Sequence, residues 1–504
     1  MPSCRADNPH DLDRLRERYR KSGTFPNSRV QFLPDVVSYL AVKDYLWSAL
    51  TVLLIGIITL GCDKNTVDNE YLAGLLEDAG CEVVALESID GSCAFDAVVL
   101  TTCGFILDAK QQSVQKLVEL AGQKREKGNP KRLYVTGCLS QRYAGDLANE
   151  IAEVDGWAGV GRFEALAGMI LKDLSANRPR PRAASIVKPV PAVEVYRFMR
   201  RRRLGERPYS FLKIADGCNH HCTFCSIPLM KGKYRSVDPD ILLAEARSLL
   251  KTGVRELNLV AQDITVYGTD RWRDYRLPNL LRDLCALKGD FWIRCLYCYP
   301  GGITRRLIEV LAAEPKIVPY LDIPLQHLDP AMLRRMKRPY HGLNAERLVA
   351  RLRDAIPGIA LRTTMIVGFP GESCQAHNRM LEGIRRLSFD WLGVFRFSRE
   401  EGAAAARFPR QVGKMTCEKR WHAVMQLQAE ITAERNEDRV GRRERVLIEE
   451  FDSVQGKWLG RSSREAPEVD GKVLIGAGPS LTPGQFADVV ITGADVYDVF
   501  ARAY

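Results

Sequence analysis

Asp216-Gly217-Cys218-Asn219-His220-His221-Cys222-Thr223-Phe224-Cys225-Ser226-Ile227-Pro228 places three cysteines within eight residues. Cys218, Cys222 and Cys225 lie too close together to be ordinary core residues of one strand or helix, whereas a tight loop can turn all three thiolates toward one metal centre. Clustered thiolates point to zinc or to an iron–sulfur cluster. A structural zinc site closes its tetrahedron with a fourth Cys or His, and the only candidates in the loop, His220 and His221, are squeezed between the first two cysteines. Three thiolates on a cubane instead leave one iron open.

An open iron can be chelated by the amino and carboxyl groups of S-adenosylmethionine and pass it an electron, with the protein supplying position and shielding. The pattern Cys-x3-Cys-x2-Cys, with Phe224 directly before the third cysteine, resembles the signature of the radical S-adenosylmethionine superfamily. That resemblance implies a [4Fe-4S] cluster on Cys218, Cys222 and Cys225.

Outward toward the C-terminus, helical and strand-like runs alternate: a helix over Pro239–Thr252, then strands over Val254–Val260, Arg294–Tyr299, Tyr320–Ile323, Arg362–Val367 and Trp391–Phe397. With the strand leading into the cysteine loop they make about six, which predicts a partial (β/α) barrel with its reacting groups at the strand carboxyl ends. Gln262 with Asp263, Gln326 with His327, and Gly368 with Pro370 and Gly371 fall at those ends. Each reads either as a hydrogen-bonded strand cap or as a contact to S-adenosylmethionine; Gln262, Gln326 and Gly368 are taken as the cofactor-binding candidates, and no catalytic acid or base is assigned. Cys295 and Cys298 form a CxxC, but on a strand residues three apart face opposite ways, so no shared metal is expected there.

Toward the N-terminus, Thr51 to Ala167 alternates strands and helices, predicting a parallel α/β sheet. Three cysteines fall just beyond strand ends beside glycine, in Leu60-Gly61-Cys62, Thr102-Cys103-Gly104 and Thr136-Gly137-Cys138. Singly, each reads as a small buried residue; together, at the carboxyl ends where open parallel sheets bind ligands, they read as converging metal ligands. Cys81 and Cys93 lack this setting, and Cys4, Cys285, Cys374 and Cys417 are isolated.

The remaining segments are simpler. Residues 1–50 are polar, Arg-rich and broken by prolines, and read as a disordered extension. The apolar run Ala49–Leu60 is shorter than the roughly 20 residues a spanning helix needs and reads as a buried strand, so no membrane role is expected. Residues 168–205 read as a linker ending in Arg200-Arg201-Arg202-Arg203, a basic run taken as a solvated face. After the helix Thr416–Arg435, short strands with Gly and Pro turns predict a small all-β barrel over 436–504. Domains are thus expected over 51–167, 206–435 and 436–504. Fourteen cysteines in 504 residues without a secretion signal read as reduced thiols and metal ligands, and the net charge of +11 favours an acidic partner such as nucleic acid or a ribosomal surface.

The segments Leu60-Gly61-Cys62-Asp63-Lys64-Asn65-Thr66-Val67-Asp68-Asn69-Glu70, Val135-Thr136-Gly137-Cys138-Leu139-Ser140-Gln141-Arg142-Tyr143, Leu321-Asp322-Ile323-Pro324-Leu325-Gln326-His327 and Phe397-Ser398-Arg399-Glu400-Glu401-Gly402 resemble the methylthiotransferases, and Gly460-Arg461-Ser462 resembles their TRAM barrel. The resemblance implies a second [4Fe-4S] cluster on Cys62, Cys103 and Cys138. Gly61-Cys62-Asp63-Lys64-Asn65 and Ala261-Gln262-Asp263 are similar to the RimO-type branch, although Asp63 replaces the usual Pro, and Lys231 the usual Arg. What this implies is a cytoplasmic enzyme that converts an aspartate of small-subunit ribosomal protein S-twelve to β-methylthioaspartate, with two [4Fe-4S] clusters, S-adenosylmethionine and an electron donor such as flavodoxin or ferredoxin; the sulfur donor is not readable. Two alternatives are a tRNA adenosine 2-methylthiotransferase and a non-catalytic iron–sulfur RNA-binding protein.

Overall fold

The protein is described here by a computed structural model covering residues 52–89, 93–176, 184–187, 200–338, 345–476 and 480–504. The extension expected over 1–50, and residues 177–183 and 188–199 of the expected linker, lie outside the described residues.

In the first part of the chain β1 (Leu54–Thr59), α1 (Asp63–Asp78), β2 (Glu82–Leu86), β3 (Ala97–Thr102), α2 (Leu107–Lys127), β4 (Arg132–Gly137), α3 (Cys138–Glu150), β5 (Gly156–Ala158), α4 (Phe163–Ala176) and β6 (Ala184–Ile186) follow one another. All paired strands are parallel, in the order β2-β1-β3-β4-β5-β6. β3, Ala-Val-Val-Leu-Thr-Thr, is buried throughout, as a parallel strand covered on both faces requires. Val98, Leu100, Leu133, Val135 and Trp157 form the core with Leu117 and Leu120 of α2. The chain leaves β1 toward β2 on one side and resumes at β3 on the other, so the switch point where such sheets bind ligands lies between the ends of β1 and β3. Residues 168–176, expected to open the linker, complete α4 instead: Met169, Ile170 and Leu171 give the helix an apolar face to bury.

The middle part begins with β7 (Tyr209–Lys213) and the small hairpin of β8 (Ala215–Asp216) and β9 (Arg235–Ser236), which brackets the cysteine loop and the short helix α5 (Ile227–Lys231). There follow α6 (Pro239–Lys251), β10 (Glu256–Val260), α7 (Leu277–Cys285), β11 (Trp292–Cys295), α8 (Arg305–Ala313), β12 (Ile317–Gln326), α9 (Pro330–Arg335), α10 (Ala345–Ala355), β13 (Ala360–Val367), α11 (Cys374–Leu387), β14 (Trp391–Arg396) and α12 (Lys414–Glu437). Six parallel strands in the order β14-β13-β12-β11-β10-β7 make the expected open barrel sheet. One expected strand ends early. β11 stops at Cys295, and Tyr297 takes the left-handed conformation at φ 60°, so Cys298 lies beyond the strand, its N–H donated to the Asp322 carbonyl at 2.8 Å.

The tail closes on itself as β15 (Arg443–Asp452), β16 (Lys457–Ser462), β17 (Val473–Ile475), β18 (Phe486–Ala494) and β19 (Val499–Ala503), a five-stranded barrel in the order β15-β16-β17-β19-β18. It packs against the strand starts of the middle sheet. Glu256 at the start of β10 receives Arg294 at 2.7 Å and Arg461 of the tail at 2.5 Å, and Tyr320 donates to Asp470 of the tail at 2.6 Å. These charges are buried and paired, which is the condition under which burial is tolerated.

At the opposite, carboxyl ends of the strands sits the first sheet, and the arginine run helps hold it there. The expectation of a solvated face fails for Arg201, whose side chain is 5% exposed and bridges Glu70 of α1, at 2.5 Å, to Glu245 of α6. Arg202 pairs with Glu77 of α1 at 2.6 Å.

Candidate metal centres

Cys62 is the N-cap of α1, Cys138 is the first residue of α3, and Cys103 follows β3, so all three stand at the carboxyl end of the first sheet. Two of them sit at helix N-termini, whose partial positive charge favours anionic thiolates. Gly61 has φ 106°, and a Cβ on it would lie 3.0 Å from that of Cys103, so only glycine lets these two segments approach. The thiols act on one another electrostatically: Cys62 acts on Cys103, and both act on Cys138. Burial pushes the Cys138 thiol up to about 12 and raises that of Cys103, while the Phe105 N–H donates to Cys103 and opposes the rise. Ligation must therefore displace protons that burial would otherwise retain.

The second triplet sits on the loop between β8 and α5. Gly217, at φ 82°, has no room for a Cβ against the Lys233 carbonyl, which lets the loop double back so that Cys218 donates its N–H to the Gly232 carbonyl at 3.1 Å. Each sulfur meets an N–H donor: His220 N on Cys218 at 3.4 Å, Ile227 N on Cys225 at 3.4 Å, and the Arg338 guanidinium on Cys222 at 3.6 Å. Burial raises Cys218 to about 11 and Cys225 to about 12, and these thiols too sense one another.

Among the described residues no three His, Cys, Asp or Glu side chains close around a single ion. A cubane asks for something different, one thiolate per iron on ligands spread around the cluster, and sulfurs supported by N–H donors suit it. His220 does not join the cysteines: its Nε2 lies 2.7 Å from Asp263, and its ring stacks on Tyr299 at 4.0 Å. With His220 so engaged, a zinc tetrahedron inside the loop loses its nearer candidate. Cys295 and Cys298 are buried core thiols, with burial pushing Cys295 to about 12. Burial likewise raises Cys81 to about 12.

A buried ion cluster joins the two triplets. Lys231 of α5 lies 3.5 Å from both Asp216 and Asp68, and Lys213 pairs with the same two carboxylates. Burial works against the Asp216 carboxylate, but Lys231, Lys213 and Arg235 outweigh it and hold it well below the usual range. The charge of Lys231 reaches Cys103 and Cys138. Asp216 stands two residues before Cys218 and Asp68 in the second turn of α1, so the carboxyl ends of the two sheets meet across this bridge.

The three cofactor candidates lie at strand ends of the middle sheet. Gln262 donates to Asp216 at 3.0 Å, and its amide oxygen is buried without a partner among the described residues, an acceptor left for a bound group. Gln326 closes β12 in the left-handed region at φ 73°. Gly368 donates its N–H to the Glu372 carboxylate, and Cys417 occupies the space a Cβ would need. Sequence reasoning missed Arg338, Asp68 and Asp216. A groove of about 940 Å³ bordered by Arg203, Pro208, Glu245 and Gly484 contains none of these residues.

The description "Radical SAM superfamily" matches residues 212–382, "Uncharacterized protein family UPF0004" residues 55–159, and "TRAM domain" residues 440–503. The ribosomal protein uS12 methylthiotransferase RimO of Lachnoclostridium phytofermentans is 42% identical over 446 residues, 88% of this chain and 99% of that protein. Those of Moorella thermoacetica and Heliobacterium modesticaldum are 42% and 40% identical, over 88% and 90% of this chain and 98% and 96% of theirs. Among solved structures, the radical S-adenosylmethionine methyltransferase TsrM from Kitasatospora setae, with cobalamin and a [4Fe-4S] cluster bound, aligns at TM-score 0.50 and 17% identity over 69% of this chain and 72% of that one, a likeness of fold alone. Sharing two-fifths of its residues with these relatives over nearly their whole length, and carrying both cysteine triplets at the sheet ends, this chain belongs to the RimO family of ribosomal protein uS12 methylthiotransferases.

Proposed function

We propose that this protein replaces a C–H bond by C–S–CH3 at the β-carbon of an aspartate of ribosomal protein uS12. Membership of the RimO family supports the reaction class and substrate. The observation that carries the reading is the pair of cysteine triplets meeting across the Lys231–Asp216–Asp68–Lys213 bridge. Cys218, Cys222 and Cys225 would hold one [4Fe-4S] cluster, and Cys62, Cys103 and Cys138 the other. When bound, the clusters and S-adenosylmethionine supply the hydrogen-abstracting radical, the methyl group and the sulfur.

The chain itself positions and shields. An unactivated C–H hydrogen lies beyond any side-chain base at neutral pH, so the absence of an assigned acid or base costs the reading nothing. Gln262, whose amide oxygen has no partner among the described residues, offers it to S-adenosylmethionine, with Gln326 and Gly368 at the ends of β12 and β13 on the far side of β11. Lys231 and Lys213 keep positive charge beside the first triplet and Arg338 beside the second, where anionic thiolates are favoured. Work on a ribosomal protein supports a cytoplasmic location; the electron donor we assign is of the flavodoxin or ferredoxin class. Among the described residues no helix is long and apolar enough to cross a membrane.

The test is mass spectrometry of uS12 after incubation with reconstituted protein, S-adenosylmethionine and a reductant. The target aspartate should gain one methylthio group. Cys218→Ala should abolish both S-adenosylmethionine cleavage and product, while Cys103→Ala should keep cleavage and lose product. Methylthiolated adenosine in tRNA with uS12 unmodified would overturn the reading.

A further inference from the structure

Lys64, Lys213 and Lys231 are the buried lysines of the described residues, 6%, 3% and 2% exposed. Two of them have carboxylates: Lys213 and Lys231 share Asp68 and Asp216. Lys64 has none. Among the described residues its ammonium makes no ion pair or hydrogen bond and rests on the face of Tyr297, 3.4 Å from the ring centroid. An aromatic face attracts a cation but does not replace an anion, and a buried charge without one is costly.

The surroundings hold the ammonium in place. Its neighbour Asp63 makes no ion pair with it; that carboxylate accepts from the Tyr297 hydroxyl at 2.9 Å. Tyr297, in the left-handed conformation just beyond β11, is fixed from its other end by its N–H to Asp322 at 3.1 Å. The ring is thus pinned beneath the ammonium at both ends. Lys64 lies two residues after Cys62, its charge is felt at Cys103, and Tyr297 belongs to the barrel's carboxyl end. This ammonium, without an ion pair among the described residues, therefore stands between the first triplet and the barrel.

We propose that Lys64 binds the side-chain carboxylate of the target aspartate. The proposal rests on the methylthiolation reading above. The reacting β-carbon is bonded directly to that carboxylate, so an ammonium fixed beside Cys62 and Cys103 sets the carbon next to the sulfur it receives. It also selects a charged side chain over a neutral one of the same shape, because a charge-assisted hydrogen bond is the stronger contact.

The experiment measures anaerobic binding of purified uS12, and of uS12 with the target aspartate replaced by asparagine, to the reconstituted protein and to its Lys64→Met and Lys64→Arg variants. The unsubstituted protein should prefer the aspartate form by roughly ten- to a hundredfold, the scale of one hydrogen bond to a charged group. In Lys64→Met the ratio should fall to about one, the contact being lost, with iron content and uS12-independent cleavage of S-adenosylmethionine unchanged; Lys64→Arg should keep part of the preference. A preference that survives in Lys64→Met overturns the proposal. So does loss of iron from the first triplet in that variant, which would make Lys64 a counter-ion of the cluster. If the unsubstituted protein leaves uS12 unmodified, the functional reading falls and takes this proposal with it, an outcome the modification assay separates from the other two.

Discussion

Glu372 shows how much one buried residue contributes. It accepts from Arg420 at 2.8 Å and from the Gly368 N–H, with His327 at 3.4 Å and His377 at 3.6 Å. Burial alone would raise its carboxyl, but the hydrogen bond from His327 and the charge of Arg420 outweigh it and lower it to about 2 from the ordinary 4.5. Between those values the unfolded chain takes up a proton that the fold refuses. The stabilisation, on the order of 3 kcal/mol, is therefore whole above the unfolded value and is lost as the pH falls through 4.5 toward 2. Urea midpoints measured over that range should fall steeply for the unsubstituted protein and less steeply for Glu372→Gln; parallel slopes would contradict the assignment. At this scale the placement of the six candidate cysteines was legible because their signal is local: ligand spacing in one loop, and a glycine beside a strand end three times over. Asp68 was not, because what makes it matter is Lys213, 145 residues away. Arg338 meets Cys222 across a separation of 116. No local pattern announces such partners.

Elements followed the apolar runs closely. The strand read over Val254–Val260 ends at its observed residue and starts within two of it, because so short a buried run is settled as strand by its length. The failures came where tertiary contacts override pattern. β11 stops at Cys295 because Tyr297 turns to meet Asp63 and Asp322. The arginine run was read as solvated because charge runs usually are, yet Arg201 is clamped between α1 and α6. Its replacement gives an element-scale prediction. Arg201→Met would leave Glu70 and Glu245 buried without their shared cation, and the loss of one partner from such a group costs about 3–5 kcal/mol. Chemical denaturation should report a loss of that size, and Arg202→Met, at a partner pair more open to water, should cost under about 1 kcal/mol. Equal costs for the two would return Arg201 to the surface role first assigned to it.

At the scale of the whole molecule, the middle sheet is held between two others. The tail barrel meets its strand starts through Glu256, Arg294 and Arg461, and the first sheet meets its strand ends through Lys213, Lys231, Asp68 and Asp216. The class of all three parts was legible from strand and helix alternation. Their stacking order was not, because it rests on ion pairs between residues distant in the chain. That stacking brings two cysteine triplets to one place, and the account depends on both carrying iron. The most direct test is the iron and sulfide content of the anaerobically reconstituted protein beside that of the triple variant Cys62→Ala, Cys103→Ala, Cys138→Ala. Two [4Fe-4S] clusters predict about eight irons per chain, falling to about four in the variant with the sulfide in step. About four irons in both proteins would contradict the second cluster, and with it the proposed function.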